Sequence, residues 1–134
     1  MSARRLAGGY GIFVGLMMLA LWTMLLSTGQ VPELETEPVN TTFHLVNEGT
    51  TALLLIMAGV GLLRDRSWGQ PLFLFATGMV VYATITAAGY YGEAAKWAMS
   101  AMLLIVTLLG VICALLLVRP QPGTGPRQQR RRVG

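Results

Sequence analysis

The apolar run that decides the fold occupies residues 43–63 and reads FHLVNEGTTALLLIMAGVGLL. Its length matches the roughly 20 residues that a helix needs to cross a bilayer. Its first turns nevertheless carry a histidine, an amide and a carboxylate, His44, Asn47 and Glu48. Ionisable groups at membrane depth are costly and usually face protein or water. We therefore take this segment as the candidate functional region.

The composition indicates a membrane protein. Hydrophobic residues make up 54% of the 134 residues and charged residues only 12%, about half the charged share of a soluble domain. The net charge of +4 does not indicate nucleic acid as a partner, because the basic residues lie at the edges of apolar runs. Cys113 is the only cysteine, which excludes an intrachain disulfide and a cysteine-based metal site within one chain.

Three further apolar runs, at residues 6–26, 71–89 and 94–118, predict three more spanning helices. The first run is longer than the about 7–15 apolar residues of a signal peptide, and no Ala-x-Ala site follows it, so we interpret it as a retained helix. The expected fold is all-α, an integral membrane four-helix up-down transmembrane bundle over residues 1–118. Residues 119–134 are rich in Gly, Pro, Gln and Arg and are expected to form a disordered basic cytoplasmic tail.

Two shorter segments are interpreted as follows. Residues 27–39 predict a loop with three glutamates, at positions 33, 35 and 37. These glutamates are more typical of a solvated surface than of a site that attracts cations above the membrane. The following Asn40-Thr41-Thr42 matches a glycosylation sequon, but beside a membrane edge we interpret it as a helix N-cap. Tyr90–Glu93 predict a tight turn between the third and fourth helices.

The basic residues predict the orientation. In a four-helix arrangement nine of the ten fall on one side, namely Arg4, Arg5, Arg64, Arg66, Arg119, Arg127, Arg130, Arg131 and Arg132. Lys96 falls on the other side with four glutamates. By the positive-inside rule both termini are cytoplasmic, and the expected location is the plasma (inner) membrane, multi-pass, N-in/C-in.

Helical spacing places polar residues in one outer layer. His44, Glu48 and Thr51 share one stripe, with Asn47 on its flank, and a second stripe on the third helix contains Tyr82, Thr86 and Tyr90. At about 1.5 Å per residue, Glu48 lies roughly 7–8 Å and Thr51 roughly 12 Å below the outer edge, and Thr86 and Tyr82 lie at about 6 Å and about 12 Å. Trp22 and Thr23 of the first helix and Ser100 of the fourth fall in the same layer. Because lipid offers no hydrogen bonds, we expect the two stripes to face each other.

Three readings of this layer remain open. His44 and Glu48, one turn apart, could bind a cation, but two ligands are too few for a closed metal site. Glu48 could carry protons, since desolvation raises the pKa of a carboxylate. The structural reading is that Glu48 pins the second helix to the third through a tyrosine or threonine hydroxyl. In each case the binding residues are His44, Asn47, Glu48, Thr51, Tyr82, Thr86 and Tyr90.

Sequence motifs point away from an enzyme, since no phosphate loop, nucleophile elbow or paired catalytic carboxylates occur. The length and helix count are similar to those of small multidrug transporters, but these carry a membrane glutamate in the first helix, which here is uncharged. A haem subunit would need a second axial ligand beside the single histidine, so we expect no cofactor.

We therefore expect a small non-enzymatic membrane protein, an accessory or self-associating subunit. The alternative is a small proton- or cation-coupled transporter that works through Glu48 and His44. Expected partners are the lipid bilayer, anionic lipids at the basic C-terminal segment, and a membrane partner subunit or further copies of the chain. The spacing of Gly11 and Gly15 allows close helix approach but is only weak support for a dimer.

Overall fold

The computed structural model describes residues 2–120, and within that range the chain is helical with no strand. The helices are α1 (Ala3–Ser27), α2 (Glu33–Thr36), α3 (Pro38–Leu63), α4 (Gly69–Glu93) and α5 (Trp97–Val118). All but the short α2 are long and apolar enough to cross a membrane. This confirms the all-helical class and the four apolar helices. The predicted disordered tail at residues 119–134 lies almost entirely outside the described residues.

Helix α3 begins earlier than predicted, at Pro38 rather than at residue 43. Proline is well suited to the first turn because its missing N–H would have no partner there. The predicted N-cap at Asn40-Thr41-Thr42 is therefore wrong, since these residues lie inside the helix. The Asn40 amide donates to the Glu37 carboxylate at 3.1 Å, and the Thr42 hydroxyl donates to the Pro38 carbonyl at 2.7 Å.

The predicted turn at Tyr90–Glu93 is also helical, because α4 continues to Glu93. The chain reverses two residues later, where Ala95 has a positive φ of 57°. The backbone N–H of Lys96 then donates to the Tyr91 carbonyl at 2.8 Å. The hairpin between α4 and α5 is consequently tighter than the sequence suggested.

The segment between α1 and α3 is more ordered than a solvated loop. It contains the one-turn helix α2, whose Glu33 carbonyl accepts a hydrogen bond from the Thr41 hydroxyl at 3.1 Å. The Glu33 carboxylate accepts another from the Tyr90 hydroxyl at 3.2 Å. The connection between α1 and α3 is thereby joined to the last turns of α4.

The four long helices pack in a closed ring. Helix α1 contacts α3, α3 contacts α4, α4 contacts α5, and α5 returns to α1. The α1–α3 contact depends on glycine, because a Cβ atom on Gly15 would lie 2.7 Å from the Ala52 carbonyl oxygen and one on Gly59 would lie 2.6 Å from the Gly8 carbonyl oxygen. A Cβ atom on Gly11 would likewise lie 2.9 Å from the Leu55 carbonyl oxygen. The Gly11–Gly15 pair is therefore covered by α3 of the same chain.

Hydroxyl groups connect the remaining helices. The Tyr10 hydroxyl of α1 donates to the Val106 carbonyl of α5 at 2.7 Å. The hydroxyls of Thr84 and Thr107 share a hydrogen bond between α4 and α5. Thr77, on the same side of α4, has a buried hydroxyl without a partner among residues 2–120.

Polar contacts also identify the two ends of the ring. Arg4, in the first turn of α1, donates to the Asp65 carboxylate and to the Arg66 carbonyl, each at 3.1 Å. The start of α1 therefore lies beside the connection between α3 and α4. At the opposite end of the ring, the bond between Tyr90 and Glu33 joins the last turns of α4 to the connection between α1 and α3.

Candidate functional site

Glu48 lies at the centre of a polar cluster between α1 and α3. The indole N–H of Trp22 on α1 donates to Glu48 Oε2. His44 Nε2, one turn earlier on α3, lies 3.1 Å from Glu48 Oε1. Both carboxylate oxygens therefore have a partner, and one of the two partners belongs to another helix. We call Trp22, His44 and Glu48 the Glu48 cluster.

The two partners of Glu48 also contact each other. The rings of Trp22 and His44 meet edge to face, with centroids 5.9 Å apart and an interplanar angle of 75°. The side chain of Glu48 is only 13% exposed, whereas that of His44 is 42% exposed. The imidazole thus lies between the enclosed carboxylate and the surface of the protein.

The register of α1 against α3 brings Trp22 to this point. The two helices run in opposite directions, and Gly15 of α1 lies against Ala52 of α3. Two turns further along α1 is Trp22, and two turns back along α3 is the segment between His44 and Glu48. The small residues that allow close approach therefore also fix which aromatic side chain reaches Glu48.

The other residues of the predicted α3 stripe do not join the Glu48 cluster. Thr51 is fully buried, and its hydroxyl donates to the Asn47 carbonyl of its own helix at 2.8 Å. The Asn47 side chain lies at the edge of a groove between α3 and α4. Only His44 among the predicted α3 residues contacts the Glu48 carboxylate in the described structure.

The predicted stripe on α4 does not face Glu48. Tyr82 is 71% exposed, Thr86 donates to the Tyr82 carbonyl of its own helix at 2.9 Å, and Tyr90 bonds Glu33. The reason is that α4 packs through another face, which contains Phe73, Ala76, Thr77, Val80, Ala83 and Thr84. A threonine that bonds a carbonyl one turn earlier needs no partner on a neighbouring helix. The expectation that the two stripes face each other is therefore wrong.

Residues of the same outer layer have partners of their own. Ser100 of α5 is buried and donates to the Ala88 carbonyl of α4 at 2.8 Å. The Thr23 hydroxyl donates to the Leu19 carbonyl of α1 at 2.7 Å. These contacts leave Trp22 as the one side chain of the layer that bonds Glu48 from another helix in residues 2–120.

The chemistry open to the Glu48 cluster is that of one carboxylate and one imidazole. An ionised Glu48 can accept hydrogen bonds from Trp22 and from His44 at the same time. A neutral His44 that carries its proton on Nδ1 could instead accept a proton from Glu48 at Nε2. Within the described residues no three His, Cys, Asp or Glu side chains gather closely enough to hold a metal ion. The arrangement suits either a fixed contact between helices or the movement of a single proton.

Sequence reasoning placed Trp22 in the correct layer but did not assign it to Glu48. The available signal was the row of glycines at positions 8, 11 and 15, which marks the face of α1 that a neighbouring helix approaches. Trp22 continues that face two turns later.

Comparison with known proteins identifies a family but no characterised relative. No curated protein matches the chain, and no solved structure matches it. A family model described as a domain of unknown function, DUF8058, matches residues 1–129. Since this match covers nearly the whole sequence, the chain belongs to the DUF8058 family.

Proposed function

We propose that the chain is a small non-enzymatic polytopic membrane protein, an accessory or self-associating subunit whose polar layer near the outer leaflet holds its helices in one arrangement. The observation that carries this proposal is the pair of contacts that the Glu48 carboxylate makes with two helices. Its Oε2 accepts from the indole N–H of Trp22 on α1, and its Oε1 lies 3.1 Å from Nε2 of His44 on α3. A carboxylate committed in this way serves as a contact between helices.

The proposed setting is a four-helix up-down transmembrane bundle in the plasma membrane, with both termini cytoplasmic. Large apolar side chains exposed on all four long helices support it, among them Phe13, Met57, Phe75 and Leu108, because such surfaces suit hydrocarbon. The contact between Arg4 and Asp65 groups basic residues near one end, in agreement with the positive-inside rule. The arginines at positions 127–132 add a contact for anionic headgroups.

A second candidate function is a small proton- or cation-coupled transporter. The observation that favours it is the direct contact between the enclosed Glu48 carboxylate and the half-exposed His44 imidazole. Such a pair offers a proton a route from the surface to the interior. In that case Glu48 must change its protonation state during each cycle.

Replacing Glu48 by glutamine separates the two functions. The glutamine carbonyl can accept from Trp22 and its amide can donate to a neutral His44, so a structural Glu48 tolerates Glu48→Gln with little change in melting temperature. Glu48→Ala leaves the Trp22 N–H without an acceptor and should cost about 1–3 kcal/mol of stability. Thermal unfolding in mild detergent measures both values.

The functional arm of this experiment uses vesicles that contain the purified protein and a pH-sensitive dye. Under an imposed membrane potential or cation gradient, we expect the wild-type protein to give no proton flux above empty vesicles. Glu33→Gln is the matched control, because Glu33 is an acid outside the Glu48 cluster. Wild-type flux that disappears in Glu48→Gln but persists in Glu33→Gln would establish the transporter and overturn our proposal.

A further inference from the structure

A groove between α3 and α4 carries polar groups that the chain itself does not use. The groove has a volume of about 430 Å³ and opens to the surface. Its lining consists of Asn47 from α3 and of Leu74, Phe75, Gly78, Met79 and Tyr82 from α4. We call these six residues the α3–α4 groove.

The two polar side chains of the α3–α4 groove have no partner within residues 2–120. The backbone carbonyls of Asn47 and Tyr82 accept hydrogen bonds from Thr51 and Thr86, but the Asn47 amide and the Tyr82 hydroxyl bond no other described residue. Both lie within apolar helices of spanning length. In hydrocarbon an unpaired amide or hydroxyl is costly, so the structure predicts a partner from outside the chain.

Gly78, one turn before Tyr82 on α4, leaves room for another helix beside the same two polar groups. A Cβ atom on Gly78 would meet nothing within 4 Å, and its φ is not positive, since Gly29 is the only glycine with a positive φ in the described residues. Neither packing within the chain nor the backbone therefore requires glycine at this position. Glycine inside a helix costs about 1 kcal/mol relative to alanine. A glycine beside two unpaired polar groups is explained if another helix approaches closely there.

We propose that the α3–α4 groove is the interface of a homodimer in which two copies pack α4 against α4 about a two-fold axis along the membrane normal. This inference rests on the proposed insertion of the helices in a membrane. A two-fold axis along the normal keeps every residue at its own depth. Asn47 and Tyr82 line one groove and so lie at one depth. Asn47 of one copy can therefore bond Tyr82 of the second copy, and Tyr82 of the first can bond Asn47 of the second.

The chemistry of the two side chains is self-complementary. The Asn47 amide group offers two donors and one acceptor, and the Tyr82 hydroxyl offers one donor and one acceptor. Asn47 of one copy can donate to Tyr82 of the second copy, and the same bond forms again by symmetry. A second copy can therefore give both side chains a hydrogen-bond partner without any different partner chain.

The test compares Gly78→Leu with Gly9→Leu in the full-length protein. Both glycines are exposed and have no atom within 4 Å of the Cβ position, so we expect both variants to fold, which equal melting temperatures confirm. Copy number is measured by single-molecule photobleaching in vesicles over a series of protein-to-lipid dilutions. We expect dimers for the wild type and for Gly9→Leu, and at least tenfold weaker dimerisation for Gly78→Leu, which corresponds to about 1.4 kcal/mol.

Two further measurements address the geometry. Tyr82→Phe removes only the hydroxyl and should weaken the dimer without changing the melting temperature. In a Cys113→Ala background, Gly78→Cys should give a cross-linked dimer with a short bifunctional maleimide, whereas Gly9→Cys should not.

The inference is overturned if the wild type is monomeric at every dilution, or if its dimer is unaffected by Gly78→Leu and does not cross-link through position 78. The inference is also overturned if the wild type does not dimerise and Gly78→Leu instead releases a different membrane protein. That last result would leave the proposed accessory function intact, and the Glu48→Gln experiment is independent of all three outcomes.

Discussion

At the scale of the residue, Trp22 shows how a single side chain can join two helices. Its indole N–H joins α1 to the carboxylate of Glu48 on α3, while its ring also meets His44. An intrahelical pair of His44 and Glu48 alone would not hold two helices together. The tertiary role of the Glu48 cluster therefore depends on Trp22.

Replacing Trp22 by phenylalanine tests this role. The change keeps an aromatic ring against His44 but removes the donor to Glu48, which should lower stability by about 1–3 kcal/mol because an enclosed carboxylate oxygen loses its partner. Trp97→Phe is the control, since Trp97 is 70% exposed and should change stability little. Equal melting temperatures for the two variants would contradict the assigned contact.

The sequence identified Glu48 and His44 but not the partner of Glu48 on α1. Spacing along one helix follows from helix geometry, so the contact between residues 44 and 48 could be predicted. The rotation of one helix relative to another depends on how small and large residues pack. Phe73 and Val80 turn inward on α4, and this rotation directs Tyr82 outward, which no single-helix pattern reveals.

At the scale of the element, the glycines of α1 and α3 separate into two groups. Gly8, Gly11, Gly15 and Gly59 lie where a Cβ atom would approach another atom within 3.0 Å. Gly9 of α1 and Gly49 of α3 have no atom within 4 Å of that position. Neighbouring glycines in one helix therefore have opposite roles, and the sequence alone does not distinguish them.

This division predicts changes of opposite sign for the same substitution. Gly15→Ala should destabilise the protein by about 1–3 kcal/mol, because the new methyl group would force α1 away from α3. Gly9→Ala should be neutral or stabilising by up to about 1 kcal/mol, because alanine favours the helix. Reversible unfolding in mixed micelles measures the difference. Destabilisation of equal size in both variants would show that α1 does not pack against α3 through Gly15.

Helix ends were predicted less well than helix existence. Four apolar runs sufficed to predict four long helices, since their length and composition leave few alternatives. The start of α3 at Pro38 and the end of α4 at Glu93 extend past the apolar runs into polar segments. These turns are held by contacts such as Tyr90 with Glu33, which lie far apart in the sequence.

At the scale of the whole molecule, the arrangement of charges predicts the topology. Reporter fusions after Gly134 and within residues 64–70 should both report the cytoplasm, and a fusion within residues 30–38 should report the outside. The reason is the concentration of arginine at the α1 start and the α3–α4 connection, two segments joined by Arg4 and Asp65. Labelling of the 64–70 segment by an impermeant reagent from outside would contradict this orientation.

The bond between the Tyr10 hydroxyl and the Val106 carbonyl has a consequence for biogenesis. A ribosome makes Tyr10 early and Val106 late, so α1 can pack against α3 first but can reach α5 only after the last helix has been synthesised. Until then Tyr10 has no acceptor on α5, and Thr84 has no Thr107 to bond. The ring of four long helices can therefore close only once α5 has been synthesised.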